Sequence, residues 1–166
     1  MDSQSIFDSL GSIGRGIGGL ALAVLTAIGP RAVLLRGPSG SGKSDLALRL
    51  IDAGARLVAD DQSELRRQGD AILVRSPSAI AGLIEVRGIG IVRVEPLAEA
   101  PLALIADLLP EGPPGAIERM PPRATERFLG MDLPRIAVAP LEASAAAKVA
   151  LALRAIAGTG LPAIME

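Results

Sequence analysis

The residues best suited to chemistry stand together at Gly37-Pro38-Ser39-Gly40-Ser41-Gly42-Lys43-Ser44, a complete GxxxxGK[ST] pattern. Glycines at this spacing let successive backbone N–H groups turn inward, so the loop and the start of a following helix form a nest for nucleotide phosphates. Lys43 would neutralise the β and γ oxygens, and the Ser44 hydroxyl would be a magnesium ligand. Lysine is scarce: only Lys43 and Lys148 stand among 17 Lys plus Arg, which makes the position of the first informative. The alternative is a Gly-rich turn ahead of a helix that binds nothing.

Asp60 and Asp61 lie seventeen and eighteen residues beyond Lys43, at the end of the strand expected after the loop's helix. That is the carboxyl edge of an open α/β sheet, where ligands bind. Neighbouring strand residues face opposite sides, so the two carboxylates should have unequal roles: one accepting a proton or holding a metal's water shell, the other orienting it. Asp-Asp is also ordinary turn chemistry. A third group is Glu85-Val86-Arg87-Gly88-Ile89-Gly90-Ile91, in which Glu85 and Arg87 should share a strand face and Gly88 and Gly90 should permit close backbone approach. Taken alone, it is a weak signal and reads first as a surface ion pair beside a bulge.

Composition narrows the chemistry. The 166 residues include no Cys, His, Trp or Tyr, which removes disulfides, Cys or His zinc sites, a Cys nucleophile and a Ser-His-Asp triad. Catalysis must run on carboxylates, Lys, Arg, hydroxyls, backbone N–H groups and bound metal. A net charge of −1 and two Phe residues argue against nucleic-acid binding through a basic surface or aromatic stacking. The uncharged run from Gly16 to Pro30 is fifteen residues, short of the ~20 that span a bilayer. Asp2 and Asp8 precede it, which weakens a reading as a signal peptide, so a cytoplasmic location is expected.

The elements that must position these residues are strands and helices of an aliphatic α/β domain. Residues 1–19 read as a loose N-terminal arm and 20–166 as one domain. Ala21 to Ile28 and Ala32 to Arg36 read as a hairpin turning at Gly29-Pro30 and leading into the Gly-rich loop. Ser44 to Ala53 reads as a helix closed by Gly54. A short strand follows at Arg56 to Ala59, then a hairpin turning at Gly69-Asp70. Ile84 to Val94 suggests strand, bend, strand, and Pro96 to Leu109 a further strand and turn. Five prolines between Pro110 and Arg123 mark a loop. Leu133 to Ala139 reads as a last strand and Leu141 to Ala157 as an Ala-rich helix.

Taken together and in order, GPSGSGKSDLALRLI, RLVADDQ and LIEVRGIGIV resemble the HPr kinase/phosphorylase family, in its short form consisting of the catalytic domain. The resemblance covers roughly residues 20 to 140. It implies a P-loop kinase fold of the HPr kinase/phosphoenolpyruvate carboxykinase type, a mixed sheet flanked by helices. It implies an ATP- and magnesium-dependent serine protein kinase acting on an HPr-like phosphocarrier protein of the bacterial phosphotransferase system, often with phosphorolytic reversal, and a homo-oligomer. Residue by residue, Gly37, Pro38, Ser39, Gly40, Ser41, Gly42, Lys43 and Ser44 match the ATP loop, with Lys43 on the phosphates and Ser44 on Mg2+. Asp61 matches the acceptor of the substrate serine's proton, with Asp60 beside it. Glu85 matches a metal ligand, Arg87 belongs to the same signature, and Arg119 looks like a further active-site arginine.

Two departures stand out. The family's histidine, about twenty residues ahead of the loop lysine, falls close to Leu22, and the basic loop tied to phosphorolysis reads Ala139-Pro140-Leu141-Glu142-Ala143, with no Arg. They motivate a second reading, a nucleotide-binding regulatory module with reduced catalysis. A third reading, a small-molecule P-loop kinase or a GTPase, lacks an N-K-x-D segment.

Overall fold

Short aliphatic runs punctuated by Gly and Pro build a nine-stranded mixed sheet and a separate two-stranded hairpin. The computed structural model describes residues 18–19, 23–60, 62–109 and 116–156. Leu22, Asp61 and residues 1–17 of the expected arm therefore lie outside the described residues. Gly18–Gly19 form β1, followed by β2 (Ala23–Ile28), β3 (Arg31–Arg36), α1 (Lys43–Asp52) and β4 (Arg56–Asp60). Then come β5 (Glu64–Gln68), β6 (Ala71–Arg75), β7 (Leu83–Val86), β8 (Gly90–Arg93), β9 (Glu99–Leu108), β10 (Ala124–Phe128), β11 (Met131–Val138) and α2 (Ala145–Ile156).

The sheet runs β1-β5-β6-β9-β3-β2-β4, with β11 parallel to the end of β9 and β10 antiparallel to β11. β3, β4, β9 and β11 all point one way, because β3 pairs in parallel with β9 while β2 is antiparallel to both β3 and β4. Their carboxyl ends form one edge, from which the Gly-rich loop leaves. Two prolines mark where β9 and β11 change partners. Pro101 sits opposite Leu73 of β6, one residue before pairing with β3 begins at Leu102. Pro134 sits opposite Thr125, one residue before pairing with β9 begins at Arg135. A residue without an N–H is tolerated at such margins and not inside a fully paired strand.

Central strands are buried on both faces, which is why β3 reads as an unbroken apolar run. On one face Val33, Leu35, Leu57 and Leu104 pack with Leu46 and Leu50 of α1, Val149 and Leu153 of α2, and Ile84 of β7. On the other, Leu25, Leu34 and Ile105 pack with Leu65, Ile72, Phe128 and Leu133, so the curled sheet closes over itself. Each fully buried Leu or Ile contributes about 1.5–3 kcal/mol.

Three expectations are corrected. The strand Ala124–Phe128 was not expected; only Glu126 and Phe128 of it are buried, and a charged residue at an inward position hides the period of two. The second helix begins at Ala145 instead of Leu141, because Glu142 N–H bonds Ala139 O and Ala145 N–H bonds Glu142 O, two turns that precede the helix. Gly18–Gly19, expected in the N-terminal arm, instead join the sheet as β1 against Leu65 and Glu64 of β5. Among the described residues a Cβ on Gly88 or Gly90 would meet nothing within 4 Å, and their φ of 88° and 114° suit the β7–β8 turn.

Candidate active site

The Gly-rich loop occupies residues 37 to 42, between the end of β3 and the first turn of α1. Gly40 and Gly42 have φ of 79° and 96°, the left-handed region that glycine enters without steric cost. Gly42 is the N-cap of α1 and brings no side-chain cap to the N–H groups of the first turn. Gly37 leaves room for its neighbour: a Cβ there would lie 2.5 Å from Ser41 Oγ and 3.1 Å from Ser41 Cβ, so the Ser41 side chain would have to shift. That hydroxyl is buried and has no hydrogen-bond partner among the described residues. Lys43 Nζ donates to Gly37 O and Pro38 O, both at 2.8 Å, folding the lysine over its own loop. A glycine-lined cradle, an uncapped helix start and a cation at its rim suit a polyphosphate.

Asp60 is the last residue of β4 and is half-buried. It pairs with Val24 of β2, which on its other side pairs with Leu35 of β3, so Asp60 stands two strand spacings, about 10 Å, from the strand that feeds the loop. A bulge between Leu25 and Thr26 in the β2–β4 register turns Val58 and Ala59 toward the same core cluster and re-aims the end of β4. Asp61 follows immediately and lies outside the described residues.

Glu85 is exposed on β7, in the layer that contains α1, while its neighbour Ile84 is buried against that layer. Arg87 is not on the strand face with Glu85, as the spacing predicted. It begins the three-residue turn between β7 and β8, where Ile89 N–H bonds Val86 O. Arg119 is exposed in the irregular segment before β10. Among the described residues no group of three or more carboxylates is placed to hold a metal.

The structure adds charged residues that sequence reasoning did not single out. Arg36, the last residue of β3 and the neighbour of Gly37, is 9% exposed. Its Nε and Nη2 donate to Asp107 at 2.6 and 3.1 Å, and its Nη1 and Nη2 to Glu126 at 2.6 and 3.0 Å. Burial by itself would lower the guanidinium's pKa, but the hydrogen bonds and charges of Asp107 and Glu126 outweigh it and raise the value, so Arg36 stays charged. Arg135 on β11 contacts the same two carboxylates from outside, at 3.3 Å each. One signal was readable: β3 and β9 each end an apolar run in a charge of opposite sign, Arg36 and Asp107, and these are register partners.

The segment after β11 is also fastened to the loop. Arg49 of α1 donates to Glu142 O at 3.0 Å and to Pro140 O, and Pro140 lies where a Cβ on Gly42 would approach it to 3.3 Å. This is the stretch in which the expected arginine is missing, and it is here held by an arginine from the helix.

Comparison with known proteins places this arrangement. Residues 20–150 match the family model described as HPr serine kinase C-terminal domain. The chain is similar to the HPr kinase/phosphorylases of Exiguobacterium sp. strain AT1b, 53% identical over 72 residues, and of Halalkalibacterium halodurans, 51% identical over 72 residues. In both cases the match covers 43% of this chain and 23% of the relative, so the chain spans about a quarter of the length of these curated relatives. The solved Hpr(Ser) kinase/phosphatase from Coxiella burnetii superposes with a TM-score of 0.70 at 26% identity, covering 84% of this chain and 95% of that one. Among the described residues no helix is long and apolar enough to cross a membrane. With the family model matching most of its length, and the phosphate loop, mixed sheet and paired strand ends in place, the chain belongs to the HPr serine kinase C-terminal domain family.

Proposed function

We propose that this chain is the catalytic domain of an ATP- and magnesium-dependent serine protein kinase whose acceptor is an HPr-like phosphocarrier. The observation that carries the proposal is the loop itself: left-handed Gly40 and Gly42, an uncapped start to α1 and Lys43 at the rim, on the carboxyl edge that also bears Asp60. In this reading the loop N–H groups and Lys43 bind the triphosphate, and Ser44 and Glu85 hold magnesium, which supplies charge neutralisation of the transferring group. Asp61 takes the proton from the acceptor serine as its oxygen attacks the γ-phosphorus in line with the leaving oxygen. Asp60 orients that carboxylate, and Arg87 and Arg119 contribute positive charge around the acceptor side.

The proposal includes a single catalytic domain that takes in β1 at Gly18–Gly19, a homo-oligomer and a cytoplasmic location. Phosphorolytic reversal is the weaker part of it, since residues 139–143 carry no cation of their own and are held by Arg49. A second reading, a nucleotide-binding module with reduced catalysis, is favoured by the absence of any histidine from the chain, the resemblance implying one close to Leu22. The deciding experiment is incubation with ATP, magnesium and an HPr-type phosphocarrier, followed by mass spectrometry of the carrier. One added phosphoryl group on a serine supports the kinase; ATP binding with no phosphoprotein supports the reduced module.

A further inference from the structure

Arg36 is joined to Gly37 by one peptide bond, and Gly37 O is one of the two oxygens that hold Lys43. The same arginine ties together three strands: β3, on which it stands, β9 through Asp107 and β10 through Glu126. Arg135 of β11 closes the group from outside. Two arginines face two carboxylates, so the group is neutral, and the inner guanidinium uses Nε, Nη1 and Nη2 on four contacts of 3.1 Å or less. A buried ion group of this kind is not needed for stability as such, since well-packed apolar residues often serve as well. What it supplies is fixed geometry, because a planar fork held by two carboxylates permits one orientation.

We infer that Arg36 is a positioning residue for the nucleotide loop: it fixes the end of β3, and with it Gly37 and the resting place of Lys43, relative to β9 and the β10–β11 hairpin. The inference rests on the proposed nucleotide-binding function and goes beyond it by assigning a role to residues outside the phosphate loop. Arg36 touches neither nucleotide nor acceptor in this account. It acts through the backbone of Gly37. A misplacement of about 1 Å at a binding loop can cost up to about a hundredfold in function, so loosening this anchor should be visible in nucleotide affinity.

The test is direct titration of MgATP against the whole chain as wild type, Arg36→Met, Arg36→Lys, Glu126→Gln and Arg75→Met, at a temperature where circular dichroism shows each to be folded. Arg75→Met is the control, removing a solvent-exposed ion pair of the same 2.6 Å length to Glu64 on β5 and β6. Positioning predicts that Arg36→Met weakens MgATP binding on the order of tenfold or more, with Arg36→Lys and Glu126→Gln between it and wild type, and Arg75→Met equal to wild type. If Arg36→Met does not fold, the Lys and Gln variants decide. Affinities within twofold of wild type for every folded Arg36 and Glu126 variant overturn the inference, as does failure of all three to fold, which would mark the group as structural only. A wild type that binds no MgATP overturns the nucleotide reading itself and this inference with it.

Discussion

Replacement of Arg49 by alanine tests how tightly the segment after β11 is held against the nucleotide loop. The guanidinium, on a side chain 30% exposed, donates to the carbonyls of Pro140 and Glu142 and makes an i,i+4 pair with Asp45. A hydrogen bond from a charged donor contributes about 1.5–3 kcal/mol, and partial exposure brings these two down to about 1 kcal/mol each. The pair with Asp45, itself 62% exposed, adds only about 0.3–0.5 kcal/mol. Arg49→Ala should therefore lose about 2 kcal/mol, which for a chain of this size lowers Tm by roughly 4–8 °C. Asp45→Ala removes the helix pair alone and should lower Tm by no more than about 2 °C. Thermal unfolding followed by circular dichroism reads both. Because Pro140 stands against Gly42, the Arg49 variant should also bind MgATP more weakly than the Asp45 variant. Equal Tm for the two variants, or Arg49→Ala within about 1 °C of wild type, would refute the reasoning that the carbonyl clamp, and not the surface pair, is what Arg49 contributes.

Asp61→Asn should leave MgATP affinity within about twofold and reduce phosphoryl transfer by ~10² to 10⁴, the usual contribution of a positioned base; equal labelling of the carrier by variant and wild type would remove Asp61 from that role. Gly82→Ala and Gly88→Ala separate two costs. Both sites have positive φ, worth about 1–2 kcal/mol for a non-glycine residue, but only at Gly82 would the Cβ strike a neighbour, Val94 O at 2.8 Å. Urea unfolding should place Gly82→Ala below Gly88→Ala in midpoint, and the reverse order would contradict the β7–β8 geometry.

The P-loop was legible because its chemistry is local. Eight consecutive residues specify the loop, and the apolar run Ala32 to Leu35 before it and the helical period after it are equally local signals. The β2–β3 hairpin was legible for the same reason, through Gly29-Pro30. The anchor of that loop was not, since Arg36 meets residues 71 and 90 positions away and nothing in a local period reports such a meeting. The same meeting concealed β10: Glu126 occupies an inward position because Arg36 neutralises it, and an inward Glu reads as a surface residue when its partner is unknown. The expected start of α2 lies four residues too early because Leu141, Glu142 and Ala143 are all good helix formers, while the chain there is diverted by Arg49 and by two turns. At Arg87 the alternation continued on paper past Val86, but glycines with positive φ end the strand and begin a turn.

The central claim, transfer of the γ-phosphoryl group of ATP to a serine of a phosphocarrier, is tested most directly by a labelling time course with γ-labelled ATP and magnesium, followed by acid treatment of the carrier. Label should appear with wild type, resist acid as phosphoserine does, map to one serine, and be absent with Lys43→Met. Acid-labile label, label on ATP-derived small molecules alone, or equal labelling by Lys43→Met would contradict it.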